Sequence, residues 1–407
     1  MSKTFSAEFF AGNRAKLRQR LDSDSLMVFT ANGQLQKGGD VAYPFQQDAS
    51  FWYLCGLDEP GMILVMDVSE DYLILPEASN YRDMFDGQPS EDLSQRQSGI
   101  KTILGAKEGW QRLKTKVDRA KQLAILAPSP PYIEVYGLFT NPARTRLKRR
   151  LKSINSKLEF IDVRSLLSGL RMVKQPIELT AMQQAINLTS SAITELKAKL
   201  PKLKVEYEAE AEITGFFLRH GAKNAWQPIV ASGVNACVIH ATSSDSKFTP
   251  NGLIVVDVGA EINHYCADIT RTLSVDNKPS KRAQEVFNAV LEVSEFALSL
   301  QKPGALVKEN EKAVANFMGE TLRSLNLIKT IDSKSVRHYF PHATSHFLGL
   351  DPHDAGDYNQ PLVPGTVLTV EPGIYIPEEG IGVRIEDDIL ITPSGHKNLS
   401  GGLSHKL

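Results

Sequence analysis

At 407 residues the chain is longer than one hydrophobic core normally grows, so two domains are the default. Forty-six basic against forty-seven acidic residues leave a net charge of −1, which gives no electrostatic reason to bind nucleic acid or a membrane surface. No apolar run reaches about 18 residues, the opening MSKTFSAEFF lacks a signal-peptide core, and Cys55, Cys237 and Cys266 sit singly among apolar or small neighbours as free thiols do. A soluble, cytoplasmic protein is expected.

In chain order, Leu26 to Thr30, Met62 to Met66, Tyr72 to Leu75 and Gln122 to Ala127 read as short strands. Helical patterns, Glu8 to Leu21 and Gly109 to Lys121, lie around them, which makes an α/β layer domain. No Gly-rich phosphate loop follows any of these strands, and the basic run Arg144 to Lys152 reads as a solvated helix face. The last β-like run, LEFIDV, places a boundary near Ile161 to Ser168, giving residues 1–165 and 166–407 as the two domains. Beyond it, Leu167 to Lys202 is almost continuously helix-forming, with Pro176 suited to a first turn and Ala181, Ala185, Leu188, Ala192 and Leu196 at helical spacing. Glu206 to His220, Lys281 to Leu300 and Val307 to Leu325 predict three more helices. Strands fall between and after them, so this domain is α+β, with helices covering an antiparallel sheet.

The stretch LIVVDVGAEINHYCADITRT, Leu253 to Thr272, is the one the domain serves. It predicts a strand over Leu253 to Val256 and a second over Tyr265 to Leu273, turning at Ile262 and Asn263. That register sets Asp257 directly across from Asp268, Cβ atoms roughly 5 Å apart on one face. Two carboxylates so close should not both ionise unless a cation lies between them. Taken alone, the pattern fits equally well two solvated acids beside an ordinary turn, because the turn lacks an Asn-Gly pair.

A second copy breaks the tie. Val-Val-Asp257-Val-Gly-x-x-Ile returns as Thr-Val-Glu371-Pro-Gly-x-x-Ile, an internal repeat with an acid at each strand end. GVRIEDDILIT follows, with Arg384, Glu386 and Asp388 on one strand face by alternation, and HATSHFLGLDPHD between the copies holds His342, His346 and His353. Carboxylates with a single imidazole and no thiolate suit hard or borderline divalent ions such as Mn²⁺. Asp257, Asp268, His346, Glu371 and Glu386 are enough for two ions, and a two-metal site supplies a hydroxide nucleophile and a Lewis acid for a carbonyl, which points to amide or ester hydrolysis.

The order of these residues resembles the pita-bread metallopeptidases, which include methionine aminopeptidase, prolidase and aminopeptidase P. The resemblance covers DVGAEINHYCADITRT, HATSHFLGLDPHD, VEPGIY and GVRIEDD. It implies that Asp257 and Glu386 bridge both metals, that Asp268 completes one site and that His346 with Glu371 completes the other. It also gives His240 a substrate-binding role, His353 a hydrogen bond to the scissile carbonyl, His342 a place in the pocket, and Tyr375 and Arg384 positions beside the acids. His220, His264, His338, His396 and His405 read as satisfied or exposed residues. The N-terminal domain resembles the creatinase and aminopeptidase P type: YPFQQDASFWYLCGLDEP is similar to the aminopeptidase P signature YPxRQxSxFxYLxGxxEP. The segment departs from it at Phe45-Gln46 and at Ala49 beside Ser50. Asp40 matches an acid that reaches a neighbouring subunit's site in tetrameric relatives, and MFDG carries Phe85 where those have Trp.

The resemblance therefore implies an Xaa-Pro aminopeptidase with two divalent ions, Mn²⁺ first and Co²⁺ or Zn²⁺ next. It acts on proline-containing peptides as a homo-oligomer, dimer or tetramer. Catalysis falls to Glu371, His353, His240 and Arg384. The alternative is an Xaa-Pro dipeptidase (prolidase). That enzyme needs a carboxylate clamp absent from these motifs, and Asp354 and Asp357, if they face the pocket, would repel the anion. A non-catalytic pita-bread binding module is a third reading, disfavoured by the full ligand set.

Overall fold

The computed structural model describes residues 5–22, 25–77, 84–85, 87, 90–128 and 137–407. The chain divides into two compact units, Met1–Leu170 and Arg171–Leu407, so the division falls inside the helix Arg164–Met172. Among the described residues no helix is long and apolar enough to cross a membrane.

The first unit is built on a six-stranded sheet. Its strands are β1 (Leu26–Thr30), β2 (Ile63–Met66), β3 (Asp71–Ile74), β4 (Thr102–Leu104), β5 (Gln122–Ile125) and β6 (Glu159–Asp162), in the order β4-β3-β2-β1-β5-β6. Five of them lie on the β-like runs of the sequence, β6 on LEFIDV, whereas the short β4 is half-buried and too brief to announce itself. Alternate residues Leu26, Val28, Ile63, Val65, Tyr72 and Ile74 share one core with Leu113 and Val117 of helix α2 (Ala106–Arg119), whose four-residue spacing presents one face; helix α1 (Ala7–Arg18) opens the unit. A short hairpin, Gln36–Gly38 with Val41–Ala42, carries the exposed Asp40 at its turn. Phe85 is exposed, and its neighbour Asp86 lies outside the described residues.

The second unit repeats itself, as the sequence does. Helices α3 (Pro176–Lys199) and α4 (Glu206–Arg219) precede strands β7 (Ile229–Ser232), β8 (Leu253–Val258), β9 (Ala260–Ile262), β10 (Tyr265–Cys266) and β11 (Ile269–Ser274). Helices α5 (Lys281–Ser299), α6 (Val307–Ser324) and α7 (Ser333–Tyr339) precede β12 (Val367–Val370), β13 (Gly373–Ile376), β14 (Ile381–Arg384), β15 (Asp387–Thr392) and β16 (Gly395–Asn398). In each half a long hairpin breaks partway and its outer part joins another sheet: β8 pairs β11 while β9 pairs β10, and β12 pairs β15 while β13 pairs β14. The break glycines have no room for a Cβ. One on Gly259 would lie 1.9 Å from the Ala267 carbonyl oxygen, and one on Gly373 would lie 2.6 Å from the Tyr375 hydroxyl. A buried core under the second half joins Val286, Val290, Val293, Val314 and Met318 of α5 and α6 to Ile374, Ile376 and Val383.

Four expectations change. The hairpin register is two residues off: Asp257 pairs with Thr270 and Ile262 with Tyr265, so the turn is Asn263-His264. Both of those residues take the left-handed conformation, φ 50° and 68°, which a two-residue hairpin turn demands and which Asn and His tolerate better than most. The predicted strand Tyr265 to Leu273 is interrupted at Ala267-Asp268, and the strand through Arg384, Glu386 and Asp388 is interrupted at Ile385-Glu386. Period-two alternation therefore does not carry those acids: Asp268 and Glu386 sit in the breaks. The long helix from Leu167 is cut where Val173 bridges Thr366, and it restarts at Pro176 behind a capping box from Glu178.

Candidate metal centre

The breaks explain how acids gather. Where a strand leaves one sheet for another, its backbone groups need new partners and its side chains leave the pleat. Glu386 N–H donates to the Thr270 carbonyl, and Asp268 N–H donates to an Asp388 carboxylate oxygen at 3.2 Å. These cross-links bring the two halves of the repeat together at their acids.

His346 sits among the carboxylates. Its Nε2 lies 3.4 Å from Asp268 Oδ2, 3.4 Å from Glu371 Oε1 and 4.0 Å from Glu386 Oε1. The ligand atoms of Asp268, His346 and Glu386 all fall within 4.8 Å of one another, and all three residues are buried. His346 Nδ1 is 3.2 Å from the Phe347 carbonyl, which can only accept, so the proton sits on Nδ1 and Nε2 is left as the ligand atom. Asp257 stands at the end of β8, with Oδ2 receiving Arg384 Nη2 at 2.6 Å while Oδ1 is buried and unpartnered.

One guanidinium organises the far side. Arg384 donates to Asp257, to the Tyr375 hydroxyl at 2.8 Å and to Thr270 Oγ1 at 3.1 Å, and Thr270 in turn donates to Glu386 Oε2 at 2.7 Å. The Tyr375 hydroxyl then donates to His342 Nε2 at 2.8 Å, since His342 Nδ1 faces the Ala343 carbonyl at 2.8 Å and must carry the ring proton. Tyr375, Arg384 and His342 thus form one hydrogen-bonded file ending on Asp257. Burial, seconded by the Arg384 charge, holds His342 down at about 3, so this histidine is neutral.

Two more histidines, His353 and His240, lie near His346 and His342. His353 stacks on His346 with ring centroids 3.9 Å apart and planes at 10°. Water reaches its edge, yet withdrawal of the ring from solvent, followed by the charges of His346 and His240, keeps it down at about 4. His240 lies on the exposed turn after the short helix Gly233–Cys237, close enough that its charge is felt by both His342 and His353.

The charge balance of the cluster is unpaid. Burial, then neighbouring carboxylates, raises Asp268 to about 6, Glu371 to about 8 and Glu386 well above the carboxylate range. Burial opposes a proton on His346, but Asp268 and Glu371 overcome it and lift that group to about 9. Four acids, one imidazole and one guanidinium lie together, and one buried Asp257 oxygen has no hydrogen-bond partner. This donor set fits divalent cations, which would discharge the carboxylates that otherwise hold protons.

Several contributors escaped the sequence reading. Thr270 and Arg271 lie inside the quoted motif but were not assigned, and Asp388 was placed only by alternation. Asp354 does not face the pocket: it is buried, paired with Arg171 and with Lys174 at 2.9 Å. Asp357 caps the turn at Asn359 N–H, 2.9 Å away. Asp354, its charge matched by two cations, does not repel a substrate carboxylate as described for the prolidase alternative. His405 is a satisfied residue, as expected, and its partner is the buried Asp387 at 2.7 Å.

Comparison with known proteins agrees with this geometry. Residues 180–393 match the model of metallopeptidase family M24, and residues 10–125 match the aminopeptidase P N-terminal domain. The chain is 32% identical to Xaa-Pro aminopeptidase of Escherichia coli, over 100% of this chain and 97% of that protein. It is 32% identical to rat Xaa-Pro aminopeptidase 3, over 91% of this chain and 77% of that one. The structure of E. coli aminopeptidase P in its low-pH form superposes with a TM-score of 0.86 at 30% identity, covering 99% of this chain and 96% of that one. The chain belongs to metallopeptidase family M24, and within it to the aminopeptidase P group, built as an N-terminal α/β domain followed by a pita-bread catalytic domain. It is a hydrolase of the Xaa-Pro aminopeptidase type.

Proposed function

We propose that the chain releases the N-terminal residue from peptides whose second residue is proline, using two divalent ions, Mn²⁺ by preference and Co²⁺ or Zn²⁺ as substitutes. The observation that carries this reading is the surplus of buried negative charge around His346 Nε2, with carboxylates at 3.4, 3.4 and 4.0 Å. Asp257 and Glu386 would bridge the ions, Asp268 would complete one site, and His346 with Glu371 the other. When bound, the ions would supply a nucleophile at neutral pH and polarise the scissile carbonyl.

The residues of the chain do the rest. Glu371, whose Oε1 lies 3.4 Å from His346 Nε2, would take a proton from the attacking water, once the cations have discharged it, and give it to the departing imide nitrogen. His353 is neutral at working pH and offers an N–H to the oxygen on which negative charge develops. His240, exposed at the approach, contacts the substrate backbone. Arg384 orients Asp257 through a 2.6 Å hydrogen bond, and Tyr375 with His342 fixes the other end of the guanidinium. A proline at the second position has no N–H, so this reading asks for a pocket with no acceptor at the scissile nitrogen. Asp40 and Phe85, which the resemblance places at a contact between copies, are both exposed in the isolated chain, as a homo-oligomer requires.

The test is metal-loaded protein assayed on Xaa-Pro, Xaa-Pro-Xaa and Xaa-Ala-Xaa peptides. We expect kcat/KM at least about tenfold higher for Xaa-Pro-Xaa than for Xaa-Pro, because, among the described residues, Arg384 is engaged by Asp257 and Arg271 by Asp387, which leaves neither fork for a dipeptide carboxylate. Faster cleavage of dipeptides would make the chain a prolidase.

A further inference from the structure

One half-buried carboxylate touches the ligand-bearing segment and has no part in the chemistry above. Glu311, on α6, places its two oxygens 2.8 and 3.0 Å from the backbone nitrogen of Thr344. Thr344 lies midway between His342 and His346, and its carbonyl accepts the backbone N–H of Glu371 at 2.8 Å. Arg337, on α7, reaches the same segment, donating to the carbonyl of His342 and to that of Phe340 at 3.4 Å. An anion from one helix thus takes an N–H while a cation from the next takes the C=O groups.

The need for such partners is plain. Residues 340–346 lie in no helix or strand, so their buried backbone groups have no ladder to satisfy them. Yet this segment must hold the His342 and His346 rings, and through Thr344 it meets Glu371. Burial also raises the Glu311 carboxyl above its ordinary range, so its place disfavours the charge it carries. A neutral residue would avoid that cost unless the two N–H contacts matter.

We propose that Glu311 and Arg337 are positioning residues that clamp the His342–His346 segment from two helices and, through the Thr344 carbonyl, set the backbone of Glu371. The clamp rests on the metallopeptidase reading, and it acts on the ligands without touching ion or substrate. Removing an outer partner of a metal ligand typically lowers metal affinity or activity about 10- to 100-fold.

The experiment measures Mn²⁺ binding by titration calorimetry on the full chain after chelation and dialysis, alongside kcat, KM and Tm. Glu311→Ala should bind Mn²⁺ at least about tenfold more weakly, and its kcat should fall with KM changed less than about threefold. Glu311→Gln, which keeps an acceptor for Thr344 N–H, should recover to within about threefold of wild type. Lys312→Ala, at the exposed next position, should match wild type. If Glu311→Ala does not fold, Arg337→Ala at an exposed residue carries the test, with at least about a threefold loss of affinity expected. Affinity and kcat equal to wild type, with only Tm lowered, would overturn the clamp alone. A wild-type chain that takes up none of Mn²⁺, Co²⁺ and Zn²⁺ would overturn the two-metal reading with it.

Discussion

Glu386 and Asp387 are neighbours in the chain, both buried, and held in opposite ways. Glu386 faces Asp268, Glu371 and Asp257, and burial together with those charges drives its carboxyl well above the usual range. Asp387 points the other way, to Arg271 Nη2 and Ser400 Oγ at 2.7 Å each and to His405 Nε2, also at 2.7 Å. Burial works against its charge too, but Arg271 and His405 outweigh it and hold that carboxyl below the ordinary range. The comparison separates a balanced ionic cluster from an unbalanced one only a residue away. A fold keeps the first for itself, and the second makes sense only with a cation that the chain does not supply.

The comparison breaks first at the level of activity. Chelation should abolish turnover and Mn²⁺ or Co²⁺ should restore it; full activity in protein shown metal-free by elemental analysis would end the cation argument. Glu371→Gln should lower turnover at least about a hundredfold, with metal content measured alongside to separate proton transfer from ligation.

Stability sharpens it next. Asp387→Asn leaves Arg271 buried beside a neutral amide and should cost about 3 kcal/mol near neutral pH. The folded carboxyl lies below its unfolded value of about 3.9, so this contribution is present above that pH and fades as pH falls through the folded value. Denaturation of wild type and variant should therefore converge in acid. Glu386→Gln, measured on metal-free protein, should leave Tm unchanged or raise it, since a neutral amide replaces a carboxyl whose charged form the site disfavours. Equal destabilisation by both substitutions would show that the two acids are held alike.

The same contrast predicts a pH dependence for the metal-free protein. Asp268 at about 6 and Glu371 at about 8 are raised in the folded state, and His346 is raised to about 9. All three bind protons more tightly folded than unfolded, so stability is lost as pH rises from about 4 towards 9. Saturating Mn²⁺ should flatten that slope over the same window in a Tm series. Because His342 and His353, held down at about 3 and about 4, add stability as pH rises to about 6.5, the sign is read above that pH: a metal-free protein whose Tm rises steadily from pH 7 to pH 9 would contradict it.

How much of this was legible follows from what each residue answers to. The five proposed ligands were legible as candidates because the repeat placed Asp257 and Glu371 at matched strand ends and because a histidine-rich segment, His342 to His353, lies between the copies. Their geometry was not, since it depends on strand breaks at Gly259, Asp268 and Glu386, and hydrophobic alternation runs across a break without recording it. The register slipped by two because Asn263-His264 supplies left-handed turn residues without a glycine. Arg384 and Tyr375 were legible as motif members, but the file from Asp257 to His342 needs coordinates. Arg271 was hidden differently: a charged residue inside a β-branched run reads as a surface position, whereas it is one of the largest fully buried side chains.

His405 is the smallest and most exacting test of the balanced cluster. No motif surrounds it, its side chain remains about one-quarter exposed at 26%, and it bonds Asp387 from the final turn of the chain. Asp387 keeps Arg271 and Ser400 when the imidazole is gone, so its charge stays compensated. His405→Ala should therefore cost no more than about 1 kcal/mol, against about 3 kcal/mol for Asp387→Asn, because the first removes a partly solvated partner and the second strands a buried guanidinium. In the Asp387→Asn background the His405→Ala effect should shrink towards zero, as a shared partner requires. If His405→Ala alone costs as much as Asp387→Asn, the imidazole rather than Arg271 balances Asp387, and the account of how that acid differs from Glu386 is wrong.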